Sequence, residues 1–84
     1  MREEVAMEQR DLELIEKHRT NDKSLEALYH EHLDFERRLE KFNRKPFLTP
    51  SEEVERKNLQ KMKLHGKDLI EKILQDYRKQ EALS

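Results

Sequence analysis

A line of apolar and histidine side chains at Leu25, Leu28, His32, Phe35, Leu39 and Phe42, spaced 3, 4, 3, 4, 3, runs through the middle of this chain. At about 100° per residue these positions fall on one side of a helix, with Tyr29 and Leu33 widening the stripe. A second run, Leu59, Met62, Gly66, Leu69 and Ile73, repeats the 3, 4, 3, 4 spacing, with Ile70, Leu74 and Tyr77 alongside. Two amphipathic helices are predicted, over about residues 22–43 and 50–79.

The segment between them holds both prolines, Pro46 and Pro50. Pro46 disfavours helix at Lys45, and Thr49-Pro50-x-Glu52 is a start signal: Thr49 as N-cap, Pro50 in the first turn, Glu52 closing a capping box. A turn over about residues 44–49 between two long helices favours antiparallel neighbours. The expected fold is therefore all-α, a single domain over 1–84: an antiparallel, coiled-coil-like helical hairpin with a short N-terminal helix. If the turn centres near Phe47, Phe35 faces Leu59, His32 faces Met62, Leu28 faces Gly66 and Leu25 faces Leu69. Phe47 and Leu48 then cap the end of the seam.

The N-terminal helix is expected over about residues 3–18, with Val5, Leu12 and Ile15 on one face and Met7 and Leu14 turned away. Asn21, Asp22 and Ser24 compete for backbone hydrogen bonds and cap well, so a break is expected before the long helix, with a continuous helix as the alternative.

Composition sets limits on function. Only 33% of the 84 residues are apolar against 44% charged, too little for a deep core around a catalytic pocket. Cysteine is absent and glycine occurs once, which removes disulfide scaffolds, thiolate zinc sites and glycine-rich phosphate loops. No apolar run approaches the roughly 18 residues of a spanning helix, and the acidic N-terminus lacks the signature of a signal peptide. The expectation is a cytoplasmic protein without membrane contact, cofactor, metal, small-molecule substrate or catalysis.

The net charge of −1 conceals an uneven distribution: −6 over residues 1–36, +6 over 37–67 and −1 over 68–84. The basic zone comprises Arg37, Arg38, Lys41, Arg44 and Lys45, joined across the turn by Arg56, Lys57 and Lys61. It is the candidate interaction surface, by protein docking or by phosphate contacts with Phe47 stacking on a base. The interleaved Glu40, Glu52, Glu53 and Glu55 count against nucleic acid. His30 and His32 point about 200° apart on a helix, so they do not chelate one ion together. Lys63, Lys67 and Asp68 read as a solvated face, with Lys67–Glu71 and Asp68–Lys72 pairs at four-residue spacing. Leu64 lies off the apolar stripe. Two helices of this composition bury too little alone, so a dimer or larger assembly is expected, together with an unidentified protein partner.

Two motifs carry a family resemblance: Leu28-Tyr29-x-Glu31-His32-Leu33-Asp34-x-x-x-Arg38-Leu39-Glu40, and Leu59-x-Lys61-x-Lys63-Leu64-x-x-Lys67-Asp68-x-Ile70. With Arg10-Asp11-Leu12 and Asn21, the chain resembles the YdcH-like family of small bacterial proteins along nearly its whole length. Gly66 departs from it by standing where the family usually has Leu, leaving room for Tyr29 or for a close partner helix. The resemblance implies a helical hairpin and a bacterial cytosolic origin, with no activity, ligand or partner attached.

Overall fold

The computed structural model describes residues 9–83, which form three helices: α1 (Gln9–His18), α2 (Lys23–Asn43) and α3 (Pro50–Leu83). The expected helix start near residue 3, with Val5 and Met7, lies outside the described residues. At 1.5 Å rise per residue the 34 residues of α3 span about 51 Å, matching the 52 Å long axis of the molecule. Helix α3 is the spine, and α1 and α2 lie against it.

Local chemistry sets the helix ends. Thr49 Oγ1 accepts from the Glu52 N–H at 3.1 Å while Glu52 accepts from the Thr49 N–H at 3.0 Å, the reciprocal pair of a capping box. At the start of α2 the Asp22 carboxylate accepts from the Leu25 N–H at 3.0 Å. Helix α1 stops at His18, and the chain turns before restarting at Lys23. Helix α3 continues to Leu83, four residues past the expected end. Gln80, Glu81 and Ala82 are good helix formers, and Lys17 of α1 holds Glu81 at 2.9 Å.

Two apolar clusters hold the helices together. One joins Ile15, Leu25, Ile70 and Leu74, flanked by Leu14, Leu28, Tyr29, Ile73 and Tyr77. The other joins Phe35, Leu39 and Leu59, flanked by Phe42. Early α2 thus meets late α3, and late α2 meets early α3.

The α2 stripe is as the spacing suggests: Leu25, His32, Phe35 and Leu39 are buried, Leu28 and Phe42 half-buried. The α3 stripe is rotated. Its buried residues are Leu59, Gly66, Ile70 and Leu74, with Lys63 and Ile73 half-buried, while Met62 is 47% exposed and Leu69 half-buried. Leu25 therefore packs against Ile70 and Leu74 in place of Leu69. His32 borders Glu36, Lys63 and Lys67. The cause is α1, whose Ile15 seats on Ile70 and Leu74 and draws that flank of α3 inward. Leu14 belongs to this packing and does not point away; the buried residues of α1 are Asp11 and Ile15.

Two further expectations fail locally. Phe47 does not cap the seam; it is 85% exposed, and Leu48 alone turns partly inward. Gly66 makes no room for Tyr29, because a Cβ built there meets nothing within 4 Å. Leu28 does not stand over it either, and packs against the Ile15 cluster.

Candidate functional site

The basic zone is largely neutralised by its own helices. Arg37 and Arg38 share Asp34 at 2.9 and 3.1 Å, Arg44 pairs with Glu40 at 3.3 Å, and Arg56 pairs with Glu53 at 3.1 Å. Lys45 binds Glu52 and also sits 5.9 Å above the Phe42 ring. The Lys45 ammonium, with the Thr49 N–H, holds the Glu52 carboxyl below its ordinary value. Among the described residues Lys41, Lys57 and Lys61 alone in this zone have no carboxylate partner. Five of the eight expected contact residues are therefore already engaged.

His32 lies at the centre of the α2–α3 contact, 3% exposed. Its Nε2 is 3.3 Å from a Glu36 oxygen, and Lys63 approaches the same oxygen at 3.8 Å. Its Nδ1 is buried without a hydrogen-bond partner. Burial pushes the imidazole pKa down, Glu36 opposes that, and Lys63 and Lys67 reinforce it. Lys63 is thus a half-buried member of the helix contact and not part of a solvated face. Lys67 pairs with Glu71 at 3.5 Å, whereas Asp68 makes no pair with Lys72. His30 binds Glu26 at 2.9 Å, and His65 stands exposed on α3. Among the described residues no three His, Asp or Glu side chains are grouped to hold a metal ion.

The cluster that sequence reasoning missed joins the α1–α2 break to late α3. His18 stacks on Tyr77 with ring centres 3.7 Å apart, and the Tyr77 hydroxyl donates to Asp22 at 2.6 Å. That hydrogen bond, with the one from the Leu25 N–H, holds the Asp22 carboxyl below its ordinary value and raises Tyr77. Asp11, 5% exposed, pairs with Arg78. Arg19 bridges Glu16 and Glu26 and covers the Tyr29 ring at 5.1 Å. These contacts fasten α1 beside an open hollow of about 420 Å³ lined by Arg10, Glu13, Leu14, Lys17, Arg78 and Glu81.

A second hollow, of about 370 Å³, lies in the basic zone between Arg38, Lys41, Phe42, Lys45, Glu52 and Glu55. An open trough of about 320 Å³ runs along α2 and α3, lined by Glu31, Phe35, Lys61, Met62, His65, Gly66 and Leu69. Its floor is apolar because rotation of α3 toward α1 leaves the Met62 and Leu69 flank uncovered. Leu69 and Ile70 are successive residues, about 100° apart around the helix, so α1 covers one flank and leaves the other. Leu64, 45% exposed, lies outside the trough on the outer side of α3. No described helix is long and apolar enough to cross a membrane. Comparison with family models, with curated proteins and with solved structures gives no match for the chain.

Proposed function

We propose that the protein is a non-catalytic helical interaction module that self-associates through the α2–α3 trough, its second and third helices forming an antiparallel, coiled-coil-like hairpin. The observation that carries this reading is the half-covered α3 stripe: α1 shields Ile70 and Leu74, while Phe35, Met62, Gly66 and Leu69 line an open apolar surface. Burying such a surface against a partner is the main source of association free energy for small helical proteins. Leu64 offers a separate contact for an unidentified protein. The YdcH-like resemblance implies the same architecture, adds no activity, and implies a bacterial cytoplasmic setting.

Nucleic-acid binding through the hairpin tip is the weaker reading, because phosphates would have to displace the carboxylates that engage five of its eight cations. Sedimentation equilibrium across a wide concentration range tests the proposal. The wild type is expected to gain mass with concentration, and Met62→Glu to remain monomeric with an unchanged helical circular-dichroism spectrum. A wild-type chain that stays monomeric throughout, or a Met62→Glu chain that associates equally well, contradicts it.

A further inference from the structure

Resting on that reading, we infer that the trough is occupied by a second copy of this chain, related by a two-fold axis running along the helices, so that α2 of each copy lies over α3 of the other. The two rims of the trough carry opposite charge. Glu31 stands on the α2 rim, Lys61 and His65 on the α3 rim. All three are exposed, and Glu31 and Lys61 have no ion-pair partner among the described residues. Most other acids and bases along α2 are already paired within the chain, which makes this unpaired couple distinctive.

Symmetry turns those rims into a prediction. Two copies meeting face to face present the same patch twice, so each rim of one must meet a rim of the other. A two-fold across the helices sets α2 on α2 and α3 on α3, so that Glu31 faces the partner's α2 and is kept from the Lys61 rim. A two-fold along the helices exchanges the rims at constant height, bringing each Glu31 to the partner's α3 rim. The heights agree, since Glu31 and Lys61 both lie between the Phe35–Leu59 contact and the Leu25–Ile70 contact. Charge complementarity therefore selects the arrangement in which acid meets base at two equivalent places.

Gly66 fits the same geometry. It is the chain's one glycine and sits inside a helix, where glycine is unfavourable relative to alanine. Nothing within its own chain requires the space, as a Cβ there meets no atom within 4 Å. The missing side chain forms a notch in the trough floor, flanked by Met62 and Leu69, into which the partner's α2 approaches closely.

The test uses two charge reversals at exposed positions, E31K and K61E, with circular dichroism to verify that each keeps its helical fold. The E31K chain has lysine on both rims and the K61E chain glutamate on both. Sedimentation equilibrium is expected to show that each variant alone associates roughly tenfold or more weakly than wild type, while an equimolar mixture recovers wild-type affinity, because every rim contact then joins lysine to glutamate. Variants that associate as tightly as wild type, or a mixture no tighter than its components, overturn the two-fold arrangement while leaving self-association standing. A wild type that is monomeric at all concentrations overturns both.

Discussion

The two ends of the molecule are built from the same kind of helix and differ in how many helices cover them. Where α1 docks, Ile15, Leu25, Ile70 and Leu74 are all completely shielded from solvent. Toward the α2–α3 turn, Phe35, Leu39 and Leu59 retain 4–6% exposure, and Phe42 is half-buried. The closed end is also fastened by the Tyr77–Asp22 hydrogen bond, the His18–Tyr77 stack and the Asp11–Arg78 pair. The turn end has surface ion pairs, each worth little in water. A third helix of only ten residues thus converts an exposed apolar stripe into a dry core on one flank and leaves the other flank uncovered.

Truncating one core side chain at each end separates the two most strongly. Ile70→Ala is expected to cost about 4 kcal/mol, because its shielded surroundings close poorly around a lost side chain, whereas Leu59→Ala is expected to cost about 2 kcal/mol. Urea denaturation of both variants checks this, and equal losses would erase the distinction between the ends. Next in size, Asp22→Ala removes both the α2 cap and the acceptor of Tyr77, for an expected loss of about 2 kcal/mol. A loss no greater than that of an ordinary cap would mean the Tyr77 contact adds nothing to the closed end.

A smaller effect of opposite sign is expected at Gly66. With open space around its Cβ, Gly66→Ala should raise the stability of the monomer by up to about 1 kcal/mol through helix propensity alone. Thermal melts at low protein concentration read this directly, and destabilisation would show that the notch is needed within the chain. The shallowest effect concerns pH. The His32 imidazole is held below its ordinary value of about 6.5 mainly by burial, so the unfolded chain takes up its proton first as pH falls. Stability from the neutral ring is full above that ordinary value and declines as pH drops below it toward the lower folded value. Replacement by Leu should flatten this part of the stability profile; an unchanged slope would assign the decline to other groups.

Features governed by neighbours in sequence were legible without coordinates. The Thr49–Glu52 capping box is one, since both partners lie three residues apart. The α2 stripe is another, because α2 buries one face against a single long neighbour along most of its length. What the sequence concealed depends on where α1 lands. The α3 stripe was readable as apolar residues at 59, 62, 66, 69 and 73, yet Ile70 and Leu74 stood beside it as equal candidates, and only contact with Ile15 decides between the flanks. Asp11 and Arg78 lie 67 positions apart, and a buried carboxylate on α1 masks the periodicity of the face it occupies. For the candidate site, the basic residues were visible but their neutralisation was not, because it depends on which rotamers reach Asp34, Glu40, Glu52 and Glu53. The trough itself has no sequence signature beyond the glycine at position 66.

One end of the molecule is expected to carry its stability, and the uncovered α2–α3 flank its interactions. Amide hydrogen exchange, followed at a low and a high protein concentration, tests both halves at once. Amides around Leu25, Ile70 and Leu74 are expected to exchange most slowly at either concentration, and a higher concentration is expected to add protection around Glu31, Phe35 and residues 61–69. Uniform protection along the helices, or added protection confined to α1 or absent altogether, would contradict it.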